Sequence, residues 1–335
     1  MTSNLDFFDR LSVLVVGDAM LDRYQWGNIR RISPEAPVPI VEVERETHTA
    51  GGAANAASNL AAFGVRCELF GLIGDDLAGM ELQALLQRRG VIFDPRLVRK
   101  AAAASTITKT RIVAQRQQIC RLDREASPES YSLVAAGLLD LLAEKAVKYD
   151  AVIISDYAKG VISQPVIDTL RQVRAKHRTF LALDPKPVRP LDISGLDLIT
   201  PNHGEALVLS GLSRHDRTDL GAEEIAAAIL LRHSPECLVM TLGEKGMLLR
   251  TRLGLARHFP TVVRQVADLS GAGDTVIATL TAALAAGAAP EEAVAIANVA
   301  AGVVVGKLGT ATITRKELMQ ALEAAGPGDG ASVPG

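Results

Sequence analysis

Short apolar runs alternate along the chain with longer segments in which apolar residues recur every three or four positions. The runs are bounded by Gly, Asp or Asn, which is typical of buried strands, and the longer segments are typical of helices. The predicted strands lie at 13–16, 69–73, 151–154, 180–183, 198–199 and 238–240, and the predicted helices at 76–89, 129–148, 164–177 and 222–232. This order predicts an α/β fold with a mostly parallel sheet and helices on both faces. Ligands bind such sheets beyond the carboxyl ends of the strands.

Two segments, 38–44 and 106–117, instead alternate in the manner of half-exposed strands. They predict a small β-sheet set apart from the main sheet, formed by about 22–49 and 105–119, which we interpret as a lid. So small a sheet buries little by itself, and its apolar face must be covered by the main domain, a substrate or a second copy of the chain. We expect a homodimer through this lid. The whole of 1–325 is expected to form one domain, and the Gly, Pro and Ser content of 326–335 predicts a flexible tail.

Composition argues against some classes of function. The 335 residues are 48% hydrophobic and 22% charged, which is ordinary for a globular protein. The 36 basic and 38 acidic residues nearly cancel, so the chain has no extended positive field that would attract nucleic acid. The most apolar long stretch, 276–289, is shorter than the roughly 20 residues that span a bilayer. It predicts a buried core helix and no membrane association.

The amino terminus and the cysteines indicate the compartment. Asp6 and Asp9 stand where a secretory signal would carry positive charge. Cys67, Cys120 and Cys237 lie far apart, without the spacing of metal ligands, and are expected to be free thiols. Both features favour a reducing, cytoplasmic location.

The sharpest chemical signal is the segment 268–274, Asp-Leu-Ser-Gly-Ala-Gly-Asp, followed directly by an apolar helical run. Small residues at the start of a helix leave backbone amides free at the positive end of the helix dipole, where an anion can bind. Asp274 would lie beside them and could accept the proton of an attacking hydroxyl during phosphoryl transfer. By itself, however, an acidic residue in the first turn is more often a favourable cap.

A second motif lies at 51–64, where an Ala-rich run follows Gly51 and Gly52. Paired glycines let the backbone approach a ligand closely, and alanines let a helix pack tightly. A purely structural helix would explain the alanines but leaves Asn55 unexplained. Asn55 is therefore a candidate ligand contact.

Two further segments follow predicted strands and so lie at the expected rim of the sheet. Asn202 and Glu205 could position a hydrated Mg²⁺ with their oxygens, although the same spacing is also that of a capping box. The segment 241–246 contains Gly243 and Gly246, which would allow either a close approach to a nucleotide or a plain hairpin turn. The residues alone do not decide between a metal site and a capping box at 202–205, or between a nucleotide contact and a hairpin turn at 241–246.

Taken together in this order, the motifs resemble the ribokinase-like, or PfkB, carbohydrate kinases, whose carboxyl-terminal signature contains Gly-Ala-Gly-Asp. The resemblance implies a ribokinase-like fold, a kinase domain over 1–325, and ATP with Mg²⁺ as cofactors. It implies that Asp274 is the catalytic base. It also implies an anion hole formed by the backbone of Gly271, Ala272 and Gly273.

One position departs from the family's pattern. Leu269 stands where the family usually has Thr, while Ser270 keeps a hydroxyl. The departure leaves open whether a monovalent cation binds near Asp268.

The resemblance also implies roles for the other motifs. It implies that Gly51, Gly52 and Asn55 contact sugar hydroxyls and that Asn202 and Glu205 hold Mg²⁺ through water. It places the nucleotide near Asn202, Glu205, Thr241, Gly243, Gly246 and Asn298. The chain has neither Gly-x4-Gly-Lys-Ser/Thr nor Gly-x-Gly-x-x-Gly after the first strand, which argues against P-loop kinases and dinucleotide-dependent dehydrogenases.

Segments 16–39, 155–160 and 184–187 resemble one branch in particular, the D-glycero-β-D-manno-heptose 7-phosphate kinases. The resemblance implies phosphorylation at O1 to give heptose 1,7-bisphosphate for lipopolysaccharide core synthesis. That branch sometimes carries a fused nucleotidyltransferase domain, and we expect this protein to be the kinase alone. A kinase for another sugar, such as ribose or fructose 1-phosphate, and a non-catalytic binding protein of the same fold remain alternatives.

A phosphorylated sugar needs both hydroxyl acceptors and cationic anchors. Asp18 and Asp22 are expected to accept hydrogen bonds from sugar hydroxyls. Arginine forks or lysine charges would bind the phosphate. The candidate anchors are Arg23, Arg111, Lys159 and Lys186.

Overall fold

The computed structural model describes residues 5–99, 104–115, 117–212, 220–262 and 268–325. Its strands are β1 (Ser12–Gly17), β2 (Ala19–Ile32), β3 (Pro39–Gly52), β4 (Arg66–Phe70), β5 (Ile73–Gly74), β6 (Ile92–Phe93), β7 (Val98–Arg99), β8 (Ile107–Ala114), β9 (Gln117–Arg124), β10 (Ala151–Ser155), β11 (Phe180–Asp184), β12 (Leu198–Ile199), β13 (Cys237–Thr241), β14 (Met247–Thr251) and β15 (Ala256–Phe259). Its α-helices are α1 (Ala53–Ala62), α2 (Leu77–Arg88), α3 (Leu139–Ala146), α4 (Gln164–His177), α5 (His203–Ser210), α6 (Ala222–His233), α7 (Ala272–Ala285), α8 (Pro290–Val305) and α9 (Arg315–Ala325).

Within the described residues, nine strands form the main sheet in the order β15-β14-β13-β12-β11-β10-β1-β4-β6. The strands from β13 to β6 pair in parallel, and β14 and β15 extend the sheet as antiparallel strands. The predicted mostly parallel sheet is therefore confirmed. Its carboxyl edge brings together the segments that follow β1, β10, β11, β12 and β13.

Helices cover the main sheet on both faces because its central strands are apolar on both faces. In β1, Val13 and Val15 belong to the core formed with α1, α7 and α8, while Leu14 and Val16 belong to the core formed with α4 and α6. Alternate side chains of a strand point to opposite faces, so one short run of valine and leucine contributes to two cores. The apolar stretch at 276–289 lies largely within α7, as expected of a core helix.

A second, four-stranded sheet has the order β3-β2-β8-β9. The pairing of β2 with β8 is parallel, and the other two pairings are antiparallel. Only Asp18 separates β1 from β2, and β3 ends directly before α1. The small sheet therefore joins the main domain at the carboxyl end of a central strand, which is where a ligand is expected. Its strands, at 19–32, 39–52, 107–114 and 117–124, overlap the two segments predicted for it and continue beyond residues 49 and 119.

The prediction of one helix over 129–148 is wrong. A short 3-10 helix spans Pro128–Tyr131, and α3 begins only at Leu139. Gly137 has φ 68°, a left-handed conformation that ends any helix running through it. Tyr131 is buried, and its hydroxyl donates to the carbonyl of Ser105, which fixes this segment against the loop before β8.

Two other expectations concern the ends of elements. The predicted strand 69–73 is divided between the end of β4 and the start of β5. The predicted flexible tail, 326–335, lies outside the described residues. Among the described helices, none combines the length and apolar character needed to cross a bilayer.

Candidate active site

Asp274 lies in the first turn of α7 and is only 3% exposed. Tyr157 Oη donates to its Oδ1 at 2.6 Å, and Asn55 Nδ2 donates to its Oδ2 at 2.8 Å. Burial raises the pKa of Asp274 to about 6, although these two hydrogen bonds act in the opposite direction. The site therefore holds a carboxyl group whose pKa lies closer to neutral pH than that of an ordinary aspartate.

The start of α7 requires glycine at its N-cap. Gly271 has φ 81°, and a Cβ there would lie 2.6 Å from Asn55 Nδ2. Without a side chain at this position, Asn55 can reach Asp274. Gly273 is exposed, and a Cβ there would meet nothing within 4 Å. Of the three amides predicted to bind an anion, that of Ala272 donates to the carbonyl of Leu269 at 3.3 Å.

Asp18 holds the loop that presents Tyr157. Its buried carboxylate accepts backbone N–H groups from Tyr157, Lys159 and Val161, each at 3.0 Å. Burial raises the pKa of Asp18, while these three hydrogen bonds oppose the rise. Both oxygens of Asp18 already accept hydrogen bonds from this loop. The expected contact of Asp18 with a sugar hydroxyl stays a prediction.

Asp22 lies on β2, close to the same site. It accepts hydrogen bonds from Arg111 and Thr310, both at 2.8 Å. A Cβ at Gly51 would stand 2.5 Å from Asp22 Oδ2, and one at Gly52, where φ is 56°, would stand 2.5 Å from the carbonyl oxygen of Asp18. The paired glycines thus bring β3 against the two aspartates.

The predicted phosphate anchors are all engaged in ion pairs. Their partners are Glu81 for Arg23, Asp22 for Arg111, Glu125 for Lys159 and Glu205 for Lys186. The structure does not bring Arg23 together with the others: it neighbours Asp22 along β2, so the two side chains point to opposite faces of the small sheet. Arg23 instead meets α2 through Glu81.

A cavity of about 230 Å³ opens at the carboxyl edge of the main sheet. It is lined by Asp156, Tyr157, Asp184, Pro185, Lys186, Thr200, Asn202, Glu205, Thr241, Gly273 and Val276. Burial, followed by repulsion from the carboxylates of Asp274 and Glu205, raises the pKa of Asp184 well above its usual value. The cavity thus gathers acidic groups beside the start of α7.

The capping-box interpretation of Asn202 and Glu205 is confirmed as local structure. Asn202 Oδ1 accepts the Glu205 N–H, and Glu205 Oε2 accepts the Asn202 N–H, both at 3.0 Å. Within the described parts of the chain, no group of three His, Cys, Asp or Glu side chains is arranged to hold a metal ion by itself. The Mg²⁺ role of this pair stays a prediction.

The hairpin interpretation of 241–246 also describes its structure. Strands β13 and β14 pair antiparallel around it. Gly246 has φ 87°, and a Cβ there would lie 2.0 Å from the carbonyl oxygen of Phe259, whereas a Cβ at Gly243 would meet nothing within 4 Å. Thr241 lines the cavity, and the side chain of Asn298 donates to the carbonyl of Pro260 at 2.7 Å. Contacts of these four residues with a nucleotide stay a prediction.

Sequence reasoning did not assign roles to Tyr157, Asp184 or Lys109. Tyr157 and Asp184 stand at the carboxyl ends of β10 and β11, so the general rule about sheet edges is the signal that could have found them. Lys109 lies on β8, and its Nζ stands 5.6 Å from the centre of the Tyr157 ring. No local pattern in the sequence marks that contact.

Known proteins share much of this sequence. A protein of Shewanella sp. (strain MR-4) named bifunctional protein HldE is 44% identical over 322 residues, and one of the same name from Pelobacter propionicus is 41% identical over 309 residues. These matches cover 96% and 92% of this chain but only 66% and 62% of the relatives' own lengths. The chain therefore spans somewhat less than two thirds of each relative.

Solved structures agree with the fold. The structure of Arabidopsis thaliana ribokinase complexed with ribose and ATP superposes with a TM-score of 0.73 at 23% identity, covering 93% of this chain and 98% of that one. This likeness confirms the predicted ribokinase-like fold. The family model described as pfkB family carbohydrate kinase matches residues 10–317. The chain belongs to the pfkB family of carbohydrate kinases.

Proposed function

We propose that this protein is an ATP-dependent kinase that phosphorylates D-glycero-β-D-manno-heptose 7-phosphate at O1. The product would be heptose 1,7-bisphosphate, for lipopolysaccharide core synthesis. The observation that carries the proposal is a buried carboxyl group, Asp274, at the amino-terminal end of α7 and beside a cavity at the sheet edge. The resemblance of segments 16–39, 155–160 and 184–187 to the heptose 7-phosphate kinases supports the choice of acceptor.

Asp274 acts as the general base in this mechanism. The carboxylate accepts the proton of the attacking sugar hydroxyl while that oxygen bonds to phosphorus, and the bond to the leaving ADP oxygen breaks. Tyr157 and Asn55 each occupy one lone pair of the carboxylate, so a further lone pair on either oxygen is available for the proton.

The start of α7 stabilises the negative charge of the transferring group. The first amides of an α-helix have no partners within the helix and lie at the positive end of its dipole. Gly273 is exposed at the wall of the cavity, where its backbone can approach a phosphate without interference from a side chain.

Asn55 is suited to orient the acceptor. Its Nδ2 is engaged with Asp274, whereas its buried Oδ1 has no hydrogen-bond partner among the described residues. An unsatisfied buried acceptor is costly, and a sugar hydroxyl that donates to it would remove that cost.

The residues around the cavity fit a magnesium ion carried by a nucleotide. Asn202, Glu205 and Asp184 line the cavity with hard oxygen donors, the ligand type that Mg²⁺ prefers. When bound, the ion would neutralise charge on the phosphates. Asn202 and Glu205 would hold the ion through water, because Asn202 Oδ1 and Glu205 Oε2 already accept backbone N–H groups in the capping box.

Two further parts of the proposal concern the assembly and the compartment. Exposed apolar side chains on or beside the small sheet, among them Ile32, Val43 and Leu122, support a homodimer through it.

Cys67 and Cys237 are buried free thiols, in keeping with the reducing cytoplasm where ATP is available.

Product analysis with heptose 7-phosphate and ATP tests the proposal directly. We expect one ADP per heptose 1,7-bisphosphate, identified by mass and by phosphorus NMR of the O1 position. No product from heptose 7-phosphate, together with turnover of ribose or fructose 1-phosphate, would contradict the proposed acceptor. Absence of turnover with every sugar would favour a binding protein.

Asp274→Asn tests the base. We expect turnover to fall by about 10²–10⁴-fold, because the amide cannot take the proton, while the dissociation constant for ATP stays within about twofold. Steady-state kinetics and calorimetric titration of ATP measure the two effects. Turnover near the wild-type rate would show that another group accepts the proton.

A further inference from the structure

Lys109 differs from the four cations that the sequence suggests as phosphate anchors. Those four are held by carboxylates, whereas no carboxylate in the described part of the chain forms an ion pair with Lys109. The two acidic residues opposite it in the strand register are already engaged, because Asp22 pairs with Arg111 and Asp123 pairs with Arg121. Lys109 is thus a cation without its own counter-ion.

Strand register places Lys109 on the side of the small sheet that faces the site. Lys109 lies opposite Asp22 of β2 and opposite Asp123 of β9, so its side chain shares a face with Asp22. Its Nζ stands 5.6 Å from the centre of the Tyr157 ring. The hydroxyl of that ring donates to Asp274 at 2.6 Å, so the ammonium approaches the reactive carboxylate from the small sheet.

The surroundings of Lys109 favour an anion. Its side chain is half-buried, and this burial lowers the pKa of Lys109, with Arg121 and Lys159 adding repulsion and Asp22 and Asp123 opposing it. A partly desolvated cation without a carboxylate partner is costly, and an anionic ligand group would offset that cost.

We propose that Lys109 anchors the phosphate group that the acceptor sugar already carries. The inference rests on the proposed function, since it assigns a contact within that acceptor site. Lys109 does not line the cavity formed by Gly273, Asn202 and Thr241, where the transferred phosphate is expected. Its Nζ instead meets the ring of Tyr157 from β8 of the small sheet, which suits a phosphate on the acceptor rather than one on the nucleotide.

Lys109→Met tests the inference, because methionine keeps the length of the side chain and removes its charge. The substrates are heptose 7-phosphate and the same heptose without its phosphate. We expect KM for heptose 7-phosphate to rise by about 10- to 100-fold, the range for losing a charged hydrogen bond. KM for ATP and for the unphosphorylated heptose should change by less than about twofold, so the preference for the phosphorylated sugar should largely disappear.

Lys148→Met is the matched control. Lys148 is an exposed lysine that pairs with Glu144 far from the site, so every kinetic constant should stay at its wild-type value. Three outcomes would overturn the inference: an unchanged KM for heptose 7-phosphate in Lys109→Met, equal losses with both sugars, or a rise in KM for ATP alone. Equal losses would indicate that Lys109 only supports Tyr157.

Calorimetric titration separates this inference from the proposed function. Heptose 7-phosphate is titrated without ATP into the wild type and into Lys109→Met. If the wild type binds the sugar phosphate, and binds it at least about tenfold more tightly than the variant, Lys109 is a phosphate anchor even where turnover fails. Equal affinity in the two proteins, or no binding by either, would overturn the assignment.

Discussion

The ionisation of Asp274 results from two opposed effects at the level of single residues. Burial favours the neutral carboxyl, while hydrogen bonds from Tyr157 and Asn55 favour the carboxylate, and the pKa of Asp274 is raised to about 6 as a result. A base with a pKa near the working pH combines the correct protonation state with a useful affinity for protons. The two donors therefore lower the pH range in which the proposed reaction runs, while the charges of Asp22 and Lys109 raise and lower the pKa of Asp274 respectively.

Tyr157→Phe should move that range upward. Removing the hydroxyl removes a hydrogen bond to the charged form, so the pKa of Asp274 rises further above its usual value. Because the carboxylate is the active form, kcat/KM falls as pH falls through this pKa, near 6 in the wild type. The acidic limb of the pH profile of kcat/KM should begin at a higher pH in the variant, with a smaller difference near pH 8.

Tyr149→Phe provides the control for this pH profile. Tyr149 is also a buried tyrosine bonded to a carboxylate, Glu68, but it lies away from Asp274. Its loss should affect stability and leave the acidic limb where it is in the wild type. If Tyr157→Phe also leaves the limb unmoved, Tyr157 does not govern the base.

The sequence predicts the groups of the site better than it predicts their partners. Asp274 and Asn55 each stand in a local motif, and the structure joins them although 219 positions separate them. Lys109 stands in no such motif, and the bond of Tyr157 to Asp274 arises only from a contact made on folding. Asp18 shows the converse: its position after β1 is predicted, but its hydrogen bonds to the 157–161 loop are not.

At the level of elements, continuous apolar runs are the dependable signal. β1, β10, β11, β12 and β13 are found where the runs are, because a strand buried on both faces must be apolar throughout. The extent of the small sheet is not predictable in this way. All eight residues of β9 are exposed, so its strand conformation depends on pairing with β8 rather than on any burial pattern.

The two glycines at the start of α7 should respond differently to substitution. In Gly271→Ala, the left-handed φ and the contact with Asn55 should lower the free energy of unfolding by about 1–3 kcal/mol. In Gly273→Ala, where φ is ordinary and the space is open, stability should stay the same or rise by up to about 1 kcal/mol. Urea unfolding of both variants measures the difference, and equal effects would contradict the assigned role of Gly271.

At the scale of the whole molecule, the small sheet carries apolar side chains that the main hydrophobic core does not cover. Its strands project from the junction at Asp18, and Leu122 on β9 and Val43 on β3 are 58% and 51% exposed. Such side chains on a small sheet are costly to leave in water and suit a self-association surface. The proposed acceptor site borders this sheet through Asp22 and Lys109, so association there would also limit how far the sheet can move over a bound sugar.

Leu122→Asp tests association through the small sheet. Sedimentation at micromolar concentration should show a dimer for the wild type and mainly monomer for the variant, because a charge placed in a buried apolar contact weakens it by at least about tenfold. Leu231→Asp is the matched control, since Leu231 is also exposed but lies on α6, and this variant should remain a dimer. Apart from any change in melting temperature that follows from loss of the dimer, both variants should melt near the wild-type temperature. A monomeric wild type, or a Leu122→Asp variant that dimerises as well as Leu231→Asp does, would show that the exposed leucine on β9 takes no part in assembly.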